Sequence, residues 1–334
     1  MRCSAIVTRD RKQSETVSLI ALVPALRRAA STLDPGLFSG WRVRPSDWQF
    51  GVSVQQQLWP RASVEVGYNR RWFQGFLVTD NLAVAPSDFG AFSITTPVDP
   101  RLPGGGGQAI TGLYNVNPGP TATAVNNFVT LASNRGGEYS YYNGVDATFS
   151  IRLRQGVTFQ GGTSTGQNVI DTCAVRAQLP ETAPTNPYCH TATGFLTQAR
   201  GLVSYTIPIV DVQIAGTFQS NPGAAITANY TVSSAVAAQT LGRPLSNNAP
   251  NVSVNLIPPG AMYGDRLNQL DFRLTKILKF GRTRVNAGLD VYNLLNSNAV
   301  QTYNTSYVPG AATWPLPTVI LPPRFAKVNV QVDF

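Results

Sequence analysis

Few residues in this chain have the types and spacing that chemistry needs. A zinc site takes four Cys, His or carboxylate ligands, usually in close pairs. The sulfur and imidazole groups here are Cys3, Cys173, Cys189 and the single histidine, His190, which do not form that pattern. No metal or other cofactor is expected. Cys173 and Cys189 fall in one loop-like stretch, VIDTCAVRAQLPETAPTNPYCH. They would close a disulfide in an oxidising compartment and remain two thiols in a reducing one. His190 has no partner in the sequence that would make it a general base. Gly104 to Gly107 do not lead from a strand into a helix, so a phosphate-cradling loop fails its context test. No catalytic residues are assigned, and an enzyme is not expected.

Composition points elsewhere. Charged residues make up 13% of the 334 residues, against about 25% in ordinary globular proteins. Gly, Asn, Ser, Thr and Gln take their place, a profile suited to strands with one face in lipid and the other in confined water. The net charge is +9, but the first 45 residues carry +5 of it through Arg2, Arg9, Arg11, Lys12, Arg27, Arg28, Arg42 and Arg44, set against Asp10, Glu15 and Asp34. The remainder is spread thinly, without a basic helix or aromatic-basic stripe, so nucleic acid is not an expected partner. The apolar stretch Val17 to Leu26 is short, contains Pro24 and runs into Arg27 and Arg28, unlike a cleavable signal. Residues 1–45 are read as an atypical leader with no assigned fold, residues 46–334 as the domain.

From Asp47 onward the pattern has a period of two. Trp48, Phe50, Val52, Val54 and Leu58 alternate with Asp47, Gln49, Gly51, Ser53 and Gln55. Val64, Val66, Tyr68 and Trp72 do the same after a turn at Pro60-Arg61. Further strands carry Val145 to Ile151; Val157 and Phe159; Ala199 to Ile207; Val212 to Phe218; Leu270 to Leu274; Val285 to Val291; and Lys327 to Phe334. Asp47, Glu65, Asp146, Asp271, Asp290 and Asp333 all take the polar parity. A membrane barrel would impose that rule, because a charge facing hydrocarbon at mid-depth is costly and one facing the lumen is not. A soluble two-layer sandwich would impose it too.

Connection lengths separate these two cases. Tight turns alternate strictly with long connections, at roughly 78–137, 168–196, 222–266 and 296–323, which are read as loops without strands of their own. Such alternation gathers every tight turn at one rim, as in outer-membrane barrels with short periplasmic turns and long extracellular loops. The expected fold is all-β: a portion of an antiparallel up-and-down transmembrane β-barrel, about nine or ten strands of a larger one. Asp271, Arg273 and Asp290 are the lumen-facing polar candidates. Tyr114, Tyr188, Tyr303 and Trp314 are aromatic candidates for ligand contact or for loop packing. The last strand places Val328, Val330, Val332 and the terminal Phe334 on one face.

DFRLTKILKFGRTRVNAGLDVYNLLNSNAVQTYNTSY, PPRFAKVNVQVDF and the hairpin YTIPIVDVQIAGTFQSNPG resemble the closing strands of TonB-dependent receptors, in particular the Oar-like group with a carboxypeptidase-regulatory-type N-terminal domain. The likeness spans about residues 46–334 and includes an Asn-Leu-Phe-Asn type motif, here Asn293-Leu294-Leu295-Asn296. It implies an outer-membrane location, lipid contact, a terminal strand ending in Phe334 that the barrel-assembly machinery reads, and TonB-driven uptake of an external ligand. The family's plug domain and TonB-engaging motif are not found in this sequence, so the TonB system would act only through a plug supplied outside it. The alternative function is a passive porin or a surface-displayed adhesin.

Overall fold

The computed structural model describes residues 2–8, 31–153 and 156–334. The apolar stretch Val17–Leu26 lies outside them, as do Arg154 and Gln155, between the strands that carry Ile151 and Val157. Ten strands form one antiparallel sheet in sequence order: β1 (Arg2–Thr8), β2 (Ser46–Trp59), β3 (Ala62–Gln74), β4 (Tyr139–Arg152), β5 (Val157–Asp171), β6 (Leu196–Ile207), β7 (Val212–Asn221), β8 (Leu267–Phe280), β9 (Thr283–Tyr292) and β10 (Phe325–Asp333). The short strand His190–Ala192 pairs beside the end of β5. No pairing joins β1 to β10 among the described residues, so the sheet is open.

Nine of these strands lie where the alternation places them. The tenth is a departure: residues 1–45 were given no fold, yet Arg2–Thr8 pairs antiparallel with Gln49–Gln55 and Ser31–Leu33 runs parallel to Asn127–Val129. β1, Arg-Cys-Ser-Ala-Ile-Val-Thr, has no clean polar-apolar alternation. Backbone hydrogen bonds to a neighbouring edge do not require one.

The four tight turns lie at one rim. Pro60-Arg61 joins β2 to β3 with Arg61 at φ 71°, and Gly281-Arg282 joins β8 to β9 with Gly281 at φ 60°. Gly281 supplies the positive φ at the first position of its hairpin, which matches the twist of the flanking strands; in the other turn Pro60 comes first and the positive φ falls on the second position, Arg61. Each of β2 to β10 has nine residues or more, enough to cross a hydrocarbon layer when tilted. Trp48 and Trp59 stand at the two ends of β2. Their separation of eleven residues spans about 36 Å along the strand, or about 28 Å across a membrane at a tilt of about 40°.

Among the described residues, the apolar face of the sheet meets no packed interior. Val145, Phe159, Val203, Phe218, Leu274 and Leu289 are all exposed, and Val328 and Val330 on β10 are 76% and 64% exposed. Packing among the described residues therefore does not account for these apolar side chains.

The buried core lies at the opposite rim, in the long connections. These are not strandless, contrary to the sequence expectation. Phe89–Thr95 pairs with Ala109–Val116, Asn229–Ser233 with Asn251–Asn255 and Ser306–Tyr307, Val300–Tyr303 with Pro317–Ile320, and Leu77–Asn81 with Asn127–Leu131. Two helices, α1 (Cys173–Gln178) and α2 (Ser234–Leu241), belong to the same rim. The connection strands are short, and the first pair breaks register between Phe92 and Ile94, which blurs any period in the sequence.

Three connections share one apolar cluster containing Phe92, Ile94, Leu113, Ile226, Val232, Val254, Ile257, Tyr307 and Trp314. Polar groups lock it. Arg243 donates to Asn115 Oδ1 at 2.8 Å and to the Asn115 and Val116 carbonyls at 3.0 Å. Thr240 Oγ1 donates to the Ser93 carbonyl at 2.7 Å and accepts from the Ser93 N–H. Arg101 pairs with Asp99 at 2.6 Å and donates to the Ala311 carbonyl at 2.8 Å, while the Tyr307 hydroxyl donates to Asp99 Oδ2 at 3.0 Å. Burial and that bond to Asp99 push the Tyr307 hydroxyl up to about 12.

Hydrogen bonds from Arg101 hold the Asp99 carboxyl well below the usual carboxylate range. Its folded pKa is therefore lower than its unfolded one, and the stability it contributes is complete above about pH 4 and lost as pH falls below that. Proteolysis of residues 89–116 is expected to accelerate below about pH 4 in the native chain. Asp99→Asn should weaken the cap at neutral pH and flatten this acid dependence.

Candidate functional site

The polar parity assembles a continuous second face. Across β2 to β10 it presents Asp47, Glu65, Asp146, Gln160, Arg200, Gln219, Asp271 and Asn329. At its centre is a hollow of about 690 Å³ lined by Asp146, Thr148, Gln160, Arg200, Gln219 and Asp271. Glycine shapes its rim side: the Tyr142 ring lies across Gly144 and Gly166, where any Cβ would collide with it.

Hydrogen bonds fix the charged groups of this face. Asn69 Nδ2 donates to Asp146 Oδ2 at 2.6 Å, and Arg71 Nε to Asp47 Oδ2 at 2.6 Å. Arg273, on β8, faces Asp290, on β9, in register and bonds it in a bidentate pair at 2.5 and 3.0 Å. Asn329, on β10, adds a bond of 2.9 Å to Asp290, which is 4% exposed. A bidentate guanidinium-carboxylate pair fixes geometry as well as charge, so Arg273 and Asp290 act as a cross-strand tie.

Asp271 differs from this pair. It lines the hollow and also accepts from Gln269 Nε2 and from the backbone N–H of Asn293, both at 2.8 Å. Asn293 begins the Asn-Leu-Leu-Asn turn, in which Asn293 and Asn296 both adopt φ 50°. Asparagine tolerates that left-handed conformation better than other side-chain-bearing residues. The Asn293 amide donates to the Ser297 and Pro322 carbonyls at 2.8 Å, fastening the end of β9 to the approach of β10. The motif thus makes a strand-end clasp.

Arg200, Gln160 and Gln219 were not singled out from the sequence. Leu202 follows Arg200 on the same polar parity, which hides the alternation of β6. Arg200 is exposed and has no ion-pair partner among the described residues, leaving its guanidinium free to donate into the hollow. Amides, hydroxyls, two carboxylates and one guanidinium line the hollow beside Leu202 and Phe218, so it offers hydrogen-bonding groups next to apolar surface.

The other sequence candidates fall outside the hollow. Val328, Val330 and Val332 occupy the apolar face of β10, with Phe334 just beyond its end. Cys173 and Cys189 are joined in a disulfide, with Cα atoms 4.7 Å apart, that closes the connection carrying α1. His190 Nδ1 lies 2.9 Å from Asp171 Oδ2, which also accepts from the Tyr139 hydroxyl at 3.1 Å. This arrangement cross-links the base of the same connection. Trp314 is fully buried and Tyr303 packs against the same cluster, so both serve cap packing.

No family profile matches the chain, and no curated protein sequence matches it. Among solved structures, 86% of the chain is similar, at a TM-score of 0.45 and 11% identity, to 32% of the outer membrane transporter YddB from Escherichia coli, so it spans about a third of that chain.

Proposed function

We propose that the chain is part of an outer-membrane transport barrel of the TonB-dependent receptor type, its polar face lining the lumen and its packed long connections facing the exterior. One observation carries this reading: an apolar, unshielded sheet face opposes a hydrogen-bonded polar face, with every tight turn at a single rim. In hydrocarbon an unpaired backbone N–H or C=O costs several kcal/mol, so both edges, β1 and β10, must be paired in the membrane, by further strands or by the edges of a second copy of the chain. The polar hollow would meet a plug domain or the passing ligand. The apolar row Val328, Val330, Val332 and the terminal Phe334 would serve as the assembly signal.

A topology experiment tests the proposal. Epitope tags placed at Pro60-Arg61 or Gly281-Arg282 should be reached by antibody only after the outer membrane is permeabilised. Tags near Val98 or Val308, exposed on the long connections, should be reached on intact cells. Recovery of the folded chain from buffer without detergent, or equal access to both sets of tags, would refute it.

A further inference from the structure

One cation stands on the lipid-facing parity near the long-connection rim. Arg70 shares its face with Val64, Val66, Tyr68 and Trp72 and pairs in register with Phe50 and Asn143. Its guanidinium carbon sits 4.9 Å from the centroid of the Trp72 ring and 4.9 Å from that of Tyr141. Those two residues are register partners one row nearer the rim, so the side chain reaches outward from the hydrocarbon toward the interface.

Among the described residues, the guanidinium is held by the two rings and by nothing else. Arg70 makes no hydrogen bond or ion pair among the described residues, and its Nε is buried without a partner. Ser46 Oγ and Gln74 Oε1 are likewise buried and unpartnered; the two residues face each other one row beyond Trp48 and Trp72. Three of the four such side-chain atoms among the described residues therefore fall on β2 and β3, on one parity and on either side of the Trp48–Trp72 row. The neighbouring acids Asp47, Glu65 and Asp146 take the opposite parity, and Asp47 and Asp146 are bonded there to Arg71 and Asn69. Arg42 and Glu138 line the small cavity, about 250 Å³, that includes Gln74. The other cation on the lipid-facing parity of β8, Lys276, lies near the tight-turn rim and donates to the Val210 carbonyl.

We infer that Arg70, seated between Trp72 and Tyr141, binds the phosphate of an outer-leaflet lipid headgroup. The inference rests on the membrane reading above. A guanidinium offers a planar fork of donors that matches phosphate oxygens, and aromatic faces hold it in place without neutralising it. Near the interface such a charge costs little, whereas at mid-depth it would cost far more. The row of aromatics sets the depth at which acyl chains give way to headgroups, which is where a phosphate lies.

The test folds the full chain into phosphatidylcholine vesicles with or without lipid A, a phosphorylated glycolipid, and measures insertion and lipid retention separately. Insertion is read from β-rich circular dichroism and protection from protease; retention is read as lipid phosphorus remaining after detergent extraction and affinity capture. Wild type and Arg70→Gln should insert equally. The variant should retain lipid A about tenfold less tightly, as expected for loss of charge-assisted hydrogen bonds. Arg70→Lys should fall between them, and Lys276→Gln, at the other rim, should match wild type. Equal retention by wild type and Arg70→Gln with normal insertion would overturn the lipid site alone. Failure of every form to insert would overturn the membrane reading and the site with it. Displacement of lipid A by millimolar inorganic phosphate would show a free-anion site and refute the headgroup assignment.

Discussion

Lysine in place of Val203, on the apolar face of β6, is expected to destabilise the inserted chain by about 2 to 4 kcal/mol, the cost of a cation near the bilayer midplane. Lysine at Thr217, on β7, should cost little. The two positions lie on neighbouring strands, since Leu202 pairs with Thr217 and Val203 with Gly216, so depth and backbone environment are closely matched. What differs is the face: Val203 is exposed on the apolar side and Thr217 on the polar side. Urea titration in vesicles, followed by tryptophan fluorescence, would measure both. Equal effects would mean that hydrocarbon does not contact the Val203 side.

Trp314→Ala should have an effect of similar size in a different place. Trp314 is 0% exposed, packs edge-on against Tyr307 with ring centroids 5.1 Å apart, and donates through its indole N–H to the Thr227 carbonyl at 2.8 Å. Removing a buried tryptophan side chain costs about 3 to 5 kcal/mol, and here it also leaves that carbonyl unpaired. The cap at the long-connection rim should become protease-sensitive at residues 89–116 and 226–257. The ten-strand sheet, whose hydrogen bonds do not involve Trp314, should keep its circular dichroism. Loss of both together would show that cap and sheet fold as one unit.

The sheet was legible because its residues obey one rule over much of the length of most strands. From Trp48 to Val332, apolar side chains recur on one parity of most strands, with interruptions such as Arg70, Gly161 to Thr165 and Lys276, and the tight turns carry Pro60, Gly156 or Gly281 where the chain must reverse. Asp271, Arg273 and Asp290 could be placed on the polar face by parity alone. Their division of labour could not, because it depends on which residue lies opposite: Asp290 faces Arg273, whereas Asp271 reaches the Asn293 backbone. The cap escaped the sequence reading for a related reason. Its stabilising contacts join residues more than a hundred positions apart, such as Arg243 with Asn115 and Arg101 with Ala311. No local period records such pairings. Arg70 was passed over because a single cation among Tyr68 and Trp72 reads as an interruption until the rings are seen to lie beside it.

Because segments near Phe92, Val254 and Trp314 occupy a single apolar cluster, the exterior of this molecule cannot diversify one segment at a time. A replacement graft for residues 89–116 would have to supply the shapes that Ile226, Ile257 and Tyr307 already expect. Chimeras that exchange all three segments as a set should fold, whereas single exchanges should leave mismatched cavities, and substitutions among natural variants should be correlated across them.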